Sequence, residues 1–166
     1  MNKTLRLIKQ DVYDQCGLDI SDFAWERESK AYHACQFKLN GKAVICRQAK
    51  ITPKKSGQFV TIWKREGAGP IAPFSVTDSF EFLIVNICSS DRLGQFVFPK
   101  AAMANFGLLS TPDKEGKRAF RVYPEWEIAL NAQARKSQKW QLNYFFEISA
   151  EMDLEKIKKK YELVGF

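Results

Sequence analysis

Apolar residues at Leu5, Leu7, Ile8, Val12 and Cys16 recur at close to helical spacing, and Gly17 stands where a helix would stop, so the pattern predicts a first helix over about 3–16. Ile20, Phe23 and Trp25 follow with Ser21 or Asp22 placed to cap, which predicts a second short helix or turn. The period then changes towards two. A partly alternating run over 31–39 ends at Asn40-Gly41, a strong hairpin signal because both residues tolerate positive φ. The return strand over 42–51 is closed by Thr52-Pro53, since proline stops a ladder and restricts the residue before it. Lys54-Lys55-Ser56-Gly57 turns the chain into a third strand over 58–64, and 66–73 reads as loop.

The run FEFLIVNIC over 80–88 is the most apolar stretch and predicts a central strand covered on both faces. A further strand over 95–98 precedes Pro99, which opens a short helix stopped by Gly107. A short strand over 119–123 is followed by a helix from Pro124 to about 136, with 137–148 as its continuation or a second segment. The tail over 152–164 places Leu154, Ile157, Tyr161 and Val164 on one helical face. Strands in the middle with helices at both ends give an α/β chain, α+β being the alternative. No linker divides it, so a single domain over 1–166 is expected, built on a central mixed sheet flanked by helices.

Composition narrows this picture. The 166 residues include 45% hydrophobic residues, with 13 Phe and 4 Trp, enough to build a core. No apolar run approaches the roughly 18 residues of a membrane span. The N-terminal apolar residues are interrupted by Lys9, Gln10 and Asp11, which breaks a signal-peptide core and predicts a cytoplasmic protein with no membrane partner. Cys16, Cys35, Cys46 and Cys88 lack CxxC spacing and are expected as reduced thiols. The single histidine, His33, expected to be structural, cannot supply a His-rich metal cluster and removes most Ser–His–Asp chemistry. No Gly-rich phosphate cradle of the GxGxxG or GxxxxGK[ST] kind is present.

Charge changes it most. The chain carries a formal +7, and from Ser29 to Arg65 there is no Asp or Glu, while nine cations (Lys30, Lys38, Lys42, Arg47, Lys50, Lys54, Lys55, Lys64 and Arg65) fall within a stretch of three expected strands and their turns. Unopposed cations on one sheet predict a surface for a polyanion, nucleic acid foremost. Within it, Lys50, Lys54, Lys55 and the amide of Gly57 are candidate phosphate contacts, as are Arg47, Gln58, Lys64 and Arg65, with Trp63 as a base-stacking candidate. A second basic group at Lys117, Arg118, Arg121, Arg135, Lys136 and Lys139, beside Trp140, would form a groove with the first if both share a face. The repeated Gly-Gln-Phe-Val at 57–60 and 94–97 places Gln58 and Gln95 at matching strand entries, where both side chains could face one site.

An enzymatic alternative is a Mg²⁺-dependent phosphodiesterase or nuclease. Such sites need carboxylates for the metal and a lysine near the phosphate. In the restriction-endonuclease-like arrangement, Glu28 would be the early acid and Gln48-Ala49-Lys50 would stand where acid–x–lysine is expected, with Asp78 and Glu81 as further candidate ligands beside Glu28. A glutamine there is neutral and a weaker metal ligand. A third reading is a regulatory module whose basic face meets an acidic protein.

Several motifs in order carry a resemblance: the run from Arg47 through Lys50, Lys54, Lys55, Gln58 and Trp63 to Arg65, then GPIxPF to Phe74, GQFVFPK to Lys100, GKRAxRVYP to Pro124, and QxWQ to Gln141. Over about 28–148 the chain resembles the MepB family, small bacterial proteins named from a multidrug-efflux gene neighbourhood. The resemblance implies no established activity. It does imply a topology similar to restriction endonucleases, in which Lys50 matches the lysine and Glu28 the early acid. It adds Lys100 to the candidate phosphate-binding residues.

Overall fold

The chain reverses at Asn40-Gly41 with φ of +49° and +81°, the left-handed pair that a two-residue hairpin needs. This joins β2 (Cys35–Leu39) to β3 (Lys42–Gln48) in the computed structural model, which describes residues 1–162. Before the hairpin come α1 (Lys3–Ile8), a π-helical turn over Lys9–Tyr13 and β1 (Ile20–Trp25). After it come β4 (Lys50–Ile51), β5 (Gln58–Thr61), β6 (Trp63–Arg65), β7 (Ile71–Pro73), β8 (Phe82–Ser89) and β9 (Arg92–Pro99). The chain then runs through α2 (Lys100–Asn105), β10 (Ala119–Val122), α3 (Ala132–Gln141), β11 (Phe145–Ile148) and α4 (Leu154–Lys160).

The main sheet has the order β1-β2-β3-β8-β9-β11 and is mixed: β3 and β8 run parallel, with Val44 beside Phe82 and Gln48 beside Asn86, and every other neighbour is antiparallel. Two small sheets, β10-β5-β4 and β6-β7, are built by the excursion between β3 and β8 together with β10. The α/β expectation of one mixed sheet with helices therefore holds. Alternation sorts the core into two layers. Val44, Cys46, Ile84 and Val97 meet Leu5, Ile8, Val12 and Tyr13 of the first helix and Ile157 and Tyr161 near the C-terminus. On the other face Ile45, Leu83, Val85, Phe96 and Phe98 meet Val60, Ile62, Met103 and Val122. The four cysteines are free thiols, and among the described residues no helix is long and apolar enough to cross a membrane.

Four expectations are corrected. Residues 20–25 form a strand: β1 pairs with β2 through Ile20–Leu39 and Trp25–Cys35, with a bulge between Ser21 and Ala24 where Asp22 takes φ +53°. The extra residue puts Ile20 and Phe23 against the same core layer despite their three-residue spacing, which mimics a helix in the sequence. The helix expected from Pro124 begins only after Asn131, whose side chain accepts from Ala134 N at 2.8 Å. The Pro124 and Glu127 carbonyls are instead held by Gln138 Nε2 at 3.0 and 2.9 Å. Residues 145–148 form an edge strand with Phe145 in one core layer and Phe146 in the other. Apolar residues on both faces hide its alternation. His33 is exposed with φ +47° after a 3₁₀ turn over Lys30–Tyr32, so the strand starts at Cys35 rather than 31. Val164 lies outside the described residues.

A buried polar knot ties the first helix and the C-terminal segment to the sheet. Gln95 is fully buried; its Oε1 accepts from the Tyr13 hydroxyl at 3.3 Å and from the Tyr161 hydroxyl, and its Nε2 donates to Asn86 Oδ1 at 2.7 Å. Left unpaired, such a side chain would cost several kcal/mol, on the order of 2–7. Burial pushes both tyrosine hydroxyls well above their ordinary value of 10.0. Above that pH the unfolded chain ionises these groups while the folded chain holds them neutral, so their contribution, complete below about pH 10, is lost as pH rises. Denaturant midpoints measured across this range are expected to fall steeply above about pH 10, and Tyr161→Phe to fall less steeply than wild type.

Candidate functional site

The turn between β4 and β5 is fixed from the neighbouring strand. Arg121 stands on β10 opposite Phe59. Its Nε donates to the Ser56 carbonyl at 3.0 Å, and its Nη2 donates to the Gly57 carbonyl at 3.0 Å and to Thr52 Oγ1 at 2.7 Å. One guanidinium thus spans both ends of Thr52-Pro53-Lys54-Lys55-Ser56-Gly57. Gly57 has φ +76°, and a Cβ there would stand 2.6 Å from the Tyr123 ring, so only glycine fits. Its N–H donates to Glu127 Oε1 at 2.7 Å. All three Arg121 acceptors are neutral, so its charge is hydrogen-bonded without being cancelled.

Beside this turn lies a groove of about 580 Å³. Lys54, Lys55 and Ser56 line it from the turn, Lys117, Phe120 and Arg121 from β10 and its approach, and Ala134, Ser137 and Trp140 from α3. No Asp or Glu lines it. Among the described residues, no carboxylate pairs with Lys54, Lys55 or Lys117. Phe106, at the end of α2, stacks on Trp140 with centroids 4.1 Å apart and planes 5° from parallel. Phe106 is 42% exposed and Leu130, also on the groove, 68%. Lys54 and Lys55 of the first basic group and Lys117 and Arg121 of the second, about sixty residues apart in the chain, share this face because β5 and β10 pair.

Four other cations of the basic stretch are paired with carboxylates. Lys38 pairs with Asp22 at 3.2 Å, Lys64 with Asp78 at 2.7 Å and Glu66 at 3.2 Å, and Arg65 with Glu28 at 2.7 Å. The Asp78 hydrogen bond holds the Lys64 ammonium above its ordinary pKa. Arg47 is 1% exposed and pairs with Glu26 through Nη1 and Nη2, with Nε donating to the Thr61 carbonyl at 3.2 Å. Acids lying before residue 29 and after residue 65 are carried across by strand pairing, so an acid-free segment becomes partly neutralised. Arg47, Lys64 and Arg65 are therefore engaged within the fold, lining with Trp63, Glu26 and Glu28 a second cleft of about 500 Å³ in which both signs of charge meet.

Other candidates are dispersed. Gln48 shares the α1 face with Cys46, its Oε1 accepting from Asn2 Nδ2 at 2.8 Å, while Glu28 pairs with Arg65 beside Arg47 on the opposite face. Lys50 lies over the Tyr32 ring at 5.4 Å. Glu28, Gln48 and Lys50 do not form one constellation. Asp78 accepts from the Ser75 N–H at 2.7 Å and Glu81 from the Ala43 N–H at 2.5 Å. Among the described residues no three His, Cys, Asp or Glu gather for a metal, so Glu28, Asp78 and Glu81 are not a ligand set. Gln58 is buried, donating to the Cys88 carbonyl at 3.0 Å, and does not face the same surroundings as Gln95. Lys100 donates to the Asp78 carbonyl and Arg118 pairs with Glu115 at 2.7 Å. Arg135 is exposed on α3 outside the groove lining. Phe106, Phe120 and Leu130 were invisible as site residues, since nothing local distinguishes an aromatic on a groove from one in the core.

Fold and groove together define a small α/β protein of one mixed sheet, with a cationic, aromatic-lined groove on its excursion side. A family model described as MepB-like matches residues 26–147. The crystal structure of MepB is similar over 92% of this chain and 100% of that one, at 32% identity and a TM-score of 0.77. The chain belongs to the MepB-like family. A bacterial homing endonuclease aligns over 96% of this chain and 97% of its own at 12% identity and a TM-score of 0.43. No curated protein matches the chain.

The Arg47–Glu26 pair makes a prediction about stability rather than binding. Removing one member of a buried pair leaves the other charge uncompensated. Glu26→Ala is expected to destabilise the protein by about 3 kcal/mol in urea titration, and Glu26→Leu with Arg47→Met to recover most of that loss.

Proposed function

We propose that this protein binds nucleic acid, or a similarly phosphate-rich polyanion, through the groove between the 52–57 turn, β10 and α3. The observation that carries this reading is the convergence of Lys54, Lys55, Lys117 and Arg121 on a groove of about 580 Å³ whose lining contains no carboxylate. Elsewhere on the basic stretch, acids from neighbouring elements pair Lys38, Arg47, Lys64 and Arg65. Among the described residues, Lys30, Lys42 and Lys50 also lack a carboxylate partner but do not line this groove, so the convergence of open charge here is what supports a ligand that supplies the counter-charge. The nuclease alternative finds less support, because Glu28 and Gln48 lie on opposite faces of the sheet.

Binding through three lysines releases counterions, so the logarithm of affinity for a single strand should fall with the logarithm of salt at a slope of about −2. Fluorescence anisotropy with a labelled oligonucleotide across a salt series measures it. Lys54→Ala with Lys55→Ala is expected to weaken binding and to make the slope shallower by about 1.4. An affinity that does not change with salt would sink the proposal.

A further inference from the structure

We propose that the groove takes an unpaired nucleotide, with its phosphate on the lysines of the turn and its base stacked on Phe106, so that the nucleic acid it prefers is single-stranded. This rests on the polyanion reading above and adds the class of ligand. The lysines alone would serve any polyanion. The aromatic residues make the difference. Trp140 is anchored by Phe98 at 5.4 Å and Tyr144 at 6.3 Å, and Phe106 lies flat on it at 4.1 Å. Phe106 thus lies on an aromatic cluster rooted in the core, with 42% of its surface still open.

A single exposed phenylalanine needs no explanation. Here a second large apolar residue, Leu130 at 68% exposure, lines the same groove together with three lysines. Apolar and cationic surface in one concavity matches a ligand that is planar and apolar on one part and anionic on the next, which describes a nucleotide. Shape agrees. A duplex is read by a helix or ribbon that projects into its groove. This site is concave, and about 580 Å³ falls within the range of roughly 300–1,000 Å³ typical of pockets that enclose small ligands. Gln133 and Ser137, neutral and on the groove lining, can hydrogen-bond the exposed edges of an unpaired base.

The test compares labelled oligothymidylate, a duplex of equal length, polyphosphate and polyglutamate at fixed low salt, with free nucleotide as competitor. Single strand is expected to bind tightest. Phe106→Ala should weaken it roughly five- to a hundredfold, the range that base–aromatic stacking spans, and leave polyphosphate binding unchanged. Phe106→Tyr, which keeps the ring, should bind as wild type and serves if the alanine variant does not fold. Competition by free nucleotide at affinity comparable to the strand would make the ligand a nucleotide rather than a strand, by the same chemistry. Equal binding of duplex, polyphosphate or polyglutamate, with no effect of Phe106→Ala on the strand, would overturn the inference while leaving the polyanion reading in place. Failure of every polyanion to bind would overturn both.

Discussion

Two strands that run parallel cannot be joined by a hairpin, and the pairing of β3 with β8 imposes that constraint on this chain. The crossover must leave the sheet, travel its length and return. In many α/β proteins a helix makes that journey. Here residues 49–81 make it as four short strands, β4 to β7, packed against one face of the main sheet while α1 and the C-terminal segment cover the other. Both faces of β8 are thereby buried, which is why its sequence shows no alternation. The second part of the basic stretch, from Lys50 to Arg65, belongs to this crossover, so its strands lie on the excursion side, where β10 can join them.

That position settles the fate of its charges. A cation on a buried surface must be matched or left in water, and the fold does both. Arg47, at 1% exposure, receives a carboxylate and two carbonyls. Lys64 and Arg65, partly exposed, pair with acids from the adjoining loops, contacts of the kind that contribute about 0–1 kcal/mol each. The lysines of the turn stay in solvent and keep their charge. Local sequence charge is therefore a poor guide to local field, because pairing in the sheet rearranges who faces whom.

Much of the sheet could be read directly. Asn40-Gly41, the apolar run to Cys88, Pro99 before α2 and the strand around Arg121 lie where periodicity and turn chemistry put them. What escaped has specific causes. A bulge at Asp22 gave a strand the spacing of a helix, and burial on both faces concealed β11. At the site, Lys54, Lys55 and Arg121 were recognisable as cations, but their roles were not. Arg121 shapes the turn through neutral acceptors, while Arg47 and Gln58 are absorbed into the core. The aromatic lining depends on α2 and α3 meeting over β10, a relation between distant segments that no window along the chain contains.

The bonds of Arg121 separate the shape of the groove from its strength. One guanidinium, reaching Thr52, Ser56 and Gly57, fixes where the turn stands, and changing it alters architecture and charge together. Lys54, Lys55 and Lys117 are exposed, and among the described residues their side chains make no hydrogen bond or ion pair within the fold. Natural variation can therefore raise or lower the charge of this surface one lysine at a time, on a scaffold whose geometry is held elsewhere.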